Sequence, residues 1–153
     1  MYRVLLVEDE EIELETLRDY IDWKKNGISR VFTARNGRRA LECLEENMAD
    51  IVITDIQMPG MDGMETARIL RQKNERMVLI FVTAVEEYVF QAFDVAAFHY
   101  LVKPFSDEKF EEVVKRAVRS IEKYSENQSD EKYMMVQSGG SPVSYTHLRA
   151  HET

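Results

Sequence analysis

Ile51-Val52-Ile53-Thr54-Asp55-Ile56-Gln57-Met58-Pro59-Gly60-Met61-Asp62-Gly63 decides how the chain is read. It opens on three apolar, β-branched residues, the composition of a strand covered on both faces, as in a parallel sheet. The run stops on an acid, Asp55, and Pro59, Gly60 and Gly63 turn the chain soon after. In open α/β sheets, chemistry gathers outside the carboxyl ends of the strands. Asp55 therefore presents one carboxylate at the functional edge of a sheet, or, on the plainer reading, caps the turn that follows. The residues that accompany it decide between the two.

Working outward, Val4–Val7 reads as an earlier buried strand, followed by Glu8-Asp9-Glu10-Glu11. Ile12, Leu14, Leu17, Tyr20 and Ile21 then recur at helical spacing, predicting a helix to about Asp22. Val31–Thr33 is a short strand, and Asn36 caps a helix carrying Ala40, Leu41, Cys43 and Leu44. Gly63 opens a helix with Met64, Ala67, Ile69 and Leu70 on its apolar face. Met77–Val82 is a fourth strand ending on Thr83, and a helix is expected over about Glu86–Asp94. Phe98–Val102 is a fifth strand ending on Lys103-Pro104, with His99 expected on its exposed surface. Ser106 caps a last helix through Phe110, Val113, Val114, Ala117, Val118 and Ile121. Strand and helix alternate five times, which makes an α/β chain with a parallel sheet and helices on both faces.

Composition narrows the function. Hydrophobic residues make up 44% of 153, enough for a core, and the formal net charge is −8. That charge argues against a general binder of phosphate backbones. The single cysteine, Cys43, lies on an apolar helix stripe and reads as a small buried hydrophobe. No signal-peptide pattern and no long apolar span is visible, so no membrane association is expected and the cytoplasm is the expected location.

The strand ends bring together Glu8 and Asp9, Asp55, Thr83 and Lys103. Taken singly, the acids suit a helix N-terminus, the lysine a solvated strand end and the threonine a strand. Taken together, three carboxylates repel unless a cation lies among them, and hard oxygen donors favour Mg²⁺ over zinc. Asp55 is then a carboxylate nucleophile for a phosphoryl group, giving an acyl phosphate. Lys103 and the Thr83 hydroxyl suit the added charge and acceptor oxygens.

These motifs, Val7-Glu8-Asp9-Glu10, the Thr54–Gly63 stretch, Val82-Thr83-Ala84 and Tyr100-Leu101-Val102-Lys103-Pro104-Phe105, resemble the receiver domain of bacterial two-component response regulators over about Tyr2 to Tyr124. The resemblance implies a doubly wound, flavodoxin-like sheet of five parallel strands in the order 2-1-3-4-5, with a cis Lys103-Pro104 bond. It implies that Asp55 is phosphorylated by a partner histidine kinase. Asp9 and Asp55 would bind Mg²⁺ directly with the Gln57 backbone carbonyl, and Glu8 through water. Thr83 and Tyr100 match the family's switch pair: the threonine moves toward the phosphoryl group and the tyrosine ring turns inward. The product is a changed surface, so a switch is expected, not a metabolic enzyme, with a homodimer on phosphorylation as one outcome.

Beyond the receiver, residues 1–124, a linker is expected over 125–132, the first strand of a truncated output domain over 133–141, and a non-native tail over 142–153. Tyr133–Val136 is read as a strand without ladder partners. Gln91–Tyr100 and this linker resemble receivers carrying a LytTR-type DNA-binding domain, whereas Ile21-Asp22-Trp23 resembles those joined to AraC-type domains; the LytTR reading is preferred, with DNA contacted through that absent domain. A stand-alone receiver acting by protein contact is the alternative. A haloacid-dehalogenase-like phosphatase needs an acid two residues after the nucleophile, where this chain has Gln57. A dinucleotide-binding module fails because acids, not glycines, follow the first strand. His147 and His151, four residues apart, lack an acid or cysteine partner in register and are read as no metal site.

Overall fold

The computed structural model describes residues 1–127, 131–138 and 144–149, with side chains as far as Tyr124. Strands β1 (Tyr2–Val7), β2 (Ile28–Ala34), β3 (Ile51–Thr54), β4 (Val78–Thr83) and β5 (His99–Val102) alternate with helices α1 (Glu11–Asp19), α2 (Gly37–Glu46), α3 (Gly63–Lys73), α4 (Val89–Asp94) and α5 (Asp107–Asn127). The five strands are parallel in the order β2-β1-β3-β4-β5, as expected.

Period-two alternation within each strand feeds two cores. Leu5, Val7, Val52, Leu79, Phe81 and Tyr100 pack with α2, α3 and α4. Val4, Leu6, Ile53, Ile80, Val82 and Leu101 pack with Leu14 and Leu17 of α1 and Phe110, Val113 and Val114 of α5. Both faces are thus covered, which is why the strands read as continuous apolar runs. Fully burying one such side chain stabilises the fold by about 1.5–3 kcal/mol. Local signals set the helix starts. Asn36 Oδ1 accepts from Arg39 N at 2.8 Å, Asp62 Oδ1 from Glu65 N at 2.8 Å and Ser106 Oγ from Lys109 N at 3.1 Å.

Several expectations are corrected. Helix α1 ends at Asp19, and a short 3₁₀ turn, Lys24–Asn26, leads to Gly27 in the left-handed region at φ 84°. Ile12 is 79% exposed, because Leu14 and Leu17 define the inward stripe of α1. Helix α4 starts only at Val89. His99 is buried, because its strand lies inside the sheet and its ring faces the α5 side; burial first, then Arg116, lowers its pKa to about 4. Tyr133–Val136 falls within β6 (Glu131–Ser138), which has partners after all. It pairs parallel to β5, and β7 (Ser144–Arg149) pairs antiparallel to β6. The physical reason is that an uncovered β5 edge offers free N–H and C=O groups to a returning chain. His151 lies outside the described residues. Among the described residues no helix is long and apolar enough to cross a membrane.

Gly63 shapes the site directly. Its N–H donates to Ile56 O at 2.8 Å, folding the segment after β3 back over the strand end. A Cβ at this position would run into the backbone carbonyl of Asp55. Gly63→Ala is therefore expected to destabilise the protein by about 1–3 kcal/mol, the cost of overpacking, read as a lower urea midpoint with an unchanged m-value.

Candidate functional site

Backbone hydrogen bonds extend the sheet one residue past its strands. Glu8 N donates to Ala34 O at 3.1 Å, Asp55 N to Val7 O at 3.0 Å and Lys103 N to Thr83 O at 2.8 Å. The residues after β1, β3 and β5 are thereby held at one edge by main-chain geometry, independent of their side chains.

The side chains then meet. Lys103 Nζ donates to Asp55 Oδ2 at 3.1 Å, Glu8 Oε2 at 3.2 Å and Glu13 Oε1 at 3.0 Å. An ammonium has three N–H donors, so each finds a carboxylate. Asp55 Oδ1 accepts from Ile56 N at 2.6 Å and Gln57 N at 3.3 Å, which orients the carboxylate and leaves Oδ2 toward the lysine. Glu8 is fully buried and Asp55 nearly so. Burial, reinforced by Asp55, pushes the Glu8 carboxyl up from its ordinary 4.5 to about 8, although Lys103 pulls the other way. Burial also opposes the Lys103 charge, but Asp55, Glu13 and Glu8 outweigh it and raise the lysine above its ordinary value.

One carboxylate oxygen from each of Glu8, Asp9 and Asp55 lies within 4.8 Å of the other two. Such a set of hard oxygens, partly buried and mutually repelling, fits Mg²⁺. Asp9 is placed by its backbone: its carbonyl accepts from Arg35 Nε at 3.3 Å and from an Arg35 terminal nitrogen at 3.0 Å.

Thr83 ends β4, two residues beyond Phe81, the register partner of Thr54. Its hydroxyl is buried without a hydrogen-bond partner, a state shared among the described side chains only with atoms of Asn26 and His99. Leaving such a group unpaired costs about 1–3 kcal/mol. The Tyr100 ring, on the adjacent strand, is fully buried and donates its hydroxyl to Val85 O at 2.6 Å. Burial raises that phenol to about 12. The peptide bond Lys103-Pro104 is cis, as the resemblance implies.

The structure brings Glu8, Asp9, Asp55 and Lys103 together and places Thr83 and Tyr100 on the neighbouring strands β4 and β5. The Gln57 N–H turns to Asp55 while its side chain is exposed. One contributor was missed from the sequence: Glu13 joins Lys103 from α1. Gly63, expected as a turn residue, lets the loop close on Asp55. The signal for Glu13 was an acid four residues before the inward Leu17, on the same helix side.

A family model described as the response regulator receiver domain matches residues 4–115. The sensory transduction protein LytT of Oceanobacillus iheyensis is 35% identical over 120 residues, covering 77% of this chain and 48% of that protein. The positive alginate biosynthesis regulatory protein of Pseudomonas aeruginosa is 37% identical over 116 residues, covering 76% and 47%. Among solved structures, the REC domain of AraT, a response regulator from Geobacillus stearothermophilus, matches with a TM-score of 0.76 at 30% identity, over 81% of this chain and 98% of that one. The chain spans about half the length of these curated relatives.

The buried acid has a measurable consequence without Mg²⁺. Between the ordinary 4.5 and about 8, folded Glu8 retains a proton that the unfolded chain has released. Folding stability must then fall as pH rises through that window. The urea midpoint in chelator-treated buffer is expected to decline over this range, and Glu8→Gln is expected to flatten the decline.

Proposed function

The chain belongs to the response regulator receiver domain family, and from that premise we propose that it is a two-component switch with Asp55 as its phosphoacceptor. The donor is the phosphohistidine of a sensor histidine kinase. An Asp55 carboxylate oxygen attacks phosphorus, the phosphorus–nitrogen bond breaks, and the imidazole leaves with the bonding electrons, giving an acyl phosphate. The observation that carries this reading is the pairing of Lys103 Nζ with Asp55 Oδ2 at the sheet edge where Thr83 keeps a buried, unpartnered hydroxyl. Lys103 is the point charge for one phosphoryl oxygen, and the Thr83 hydroxyl donates to another.

Bound Mg²⁺ would be held by Asp9, Asp55 and the Gln57 carbonyl, with Glu8 acting through water, and would neutralise charge on the incoming phosphoryl group. Thr83 and Tyr100 form the relay. Engagement of the threonine hydroxyl favours the inward Tyr100 ring, whose bond to Val85 O ties it to the segment before α4. The population of that arrangement is the output. A kinase-driven switch of this kind acts by its changed surface, not by turnover of a metabolite. Relatives named for sensory transduction and for regulation of biosynthesis support transcriptional control, here through a LytTR-type DNA-binding domain belonging to a longer protein, with dimerisation on phosphorylation.

Incubation with phosphoramidate and Mg²⁺ is expected to add the mass of one phosphoryl group to the protein and none to Asp55→Asn, whose fold persists by circular dichroism. Equal uptake by the variant would falsify the assignment of Asp55. The lifetime of the phosphoryl group is a second check. Gln57 and Val85 stand two residues after Asp55 and Thr83, and the aliphatic Val85 side chain has no group to orient an attacking water. Decay of the phosphorylated mass is expected to take minutes or longer at neutral pH, and loss within seconds without a phosphatase contradicts this.

A further inference from the structure

Glu13 is an acid of the cluster to which the phosphoacceptor reading gives no task. It projects from α1, a helix held in place by Leu14 and Leu17 in the core, and its Oε1 lies 3.0 Å from Lys103 Nζ. It lines a cleft with Thr16, Tyr20 and Phe105, beside the lysine. Among the three carboxylates on Lys103, the Glu13 side chain is the most open to solvent, at 38% against 0% for Glu8 and 10% for Asp55.

These differences decide which bond gives way. All three Lys103 N–H groups are taken. A phosphoryl group on Asp55 brings three acceptor oxygens and about −1.5 to −2 of charge; it takes over the N–H now given to Asp55 Oδ2, and any further N–H, or a shift of the ammonium toward it, comes at the expense of Glu8 or Glu13. Releasing Glu8 would leave its fully buried Oε2 without a hydrogen-bond donor, which is costly. Releasing Glu13 exposes a carboxylate that water already reaches, which is cheap.

We propose that Glu13 is a positioning residue that holds the Lys103 ammonium on the α1 side in competition with the phosphoryl group, and so limits how tightly the phosphorylated state is held. The proposal rests on the reading of Asp55 as phosphoacceptor. Glu13 touches neither the phosphoryl group nor the metal; it acts through the lysine. Its carboxylate sets the strength of the competition, since an amide in the same place accepts the same hydrogen bond without the charge.

The test uses the full chain with saturating Mg²⁺ and beryllofluoride as the phosphoryl mimic, titrated by fluorine NMR. Glu13→Gln is expected to lower the apparent Kd for beryllofluoride about two- to fivefold, the range of a solvent-screened ion pair, and Glu13→Ala at least as much. Glu15→Gln removes an equal charge from an exposed position on the same helix, outside the ion pairs of Lys103, and is expected to leave the Kd unchanged. A merely structural Glu13 predicts the opposite sign, with looser binding on replacement. Unchanged or weaker binding by Glu13→Gln overturns the proposal, as does an equal gain in Glu15→Gln, which would assign the effect to net charge. If the unsubstituted protein binds no beryllofluoride, the phosphoacceptor reading fails and this proposal falls with it. If it binds and Glu13→Gln does not differ, only this proposal falls.

Discussion

One ammonium ties together the acids at the carboxyl edge of the sheet. Lys103 stands within 3.2 Å of three carboxylate oxygens, one belonging to an acid with no solvent exposure. A buried carboxylate without a counter-charge is among the costlier defects a fold can carry, at about 3–5 kcal/mol once its partner is removed. The lysine nevertheless leaves the cluster net negative. Burial first, and then that residual charge, keep the Glu8 carboxyl raised, and the charge makes the edge receptive to a divalent cation. Stability is given up locally where these acids and the lysine meet.

The convergence follows from the architecture. Parallel strands place all their carboxyl ends on one side, and helices on both faces leave that edge as the opening. The strands supply the rigid part: Leu5, Leu6, Val52, Ile53, Leu79 and Ile80 are all fully buried, so the residues that follow them have little freedom to drift. The loops supply the approach, with Gly63 admitting the chain against the Asp55 carbonyl.

The region around α4 is tied down at both ends, by different means. Before the helix, Val85 O takes the Tyr100 hydroxyl. After it, Arg71 of α3 donates to Val95 O at 2.7 Å and Ala96 O at 3.3 Å, with Ala96 in the left-handed region at φ 51°. The same guanidinium reaches Asn74 O and Glu75 O, so it staples the end of α3 to the segment entering β5. Burial lowers Arg71 to about 10, which keeps it charged at neutral pH. Under the proposed function, a change at Thr83 reaches the helix through the tyrosine end, while the arginine end is a fixed pivot.

The amino-acid order by itself determined the alternation of strands and helices, the caps at Asn36 and Ser106, and the identity of Glu8, Asp9, Asp55, Thr83 and Lys103 as a set. Those features are local: apolar runs, turn residues and strand-terminal polar groups are properties of short windows. The tertiary structure decided what depends on partners distant in the chain. It turned Ile12 outward and brought Glu13 to Lys103, because Leu14 and Leu17 set the inward stripe of α1. It buried His99, because exposure on a strand is set by what pairs with its edge and covers its face, and gave Tyr133–Val136 a neighbour in β5 for the same reason. It also joined Glu13 to a lysine 90 residues away, a contact that no local period encodes and that the packing of α1 against the sheet creates at the carboxyl end of β5.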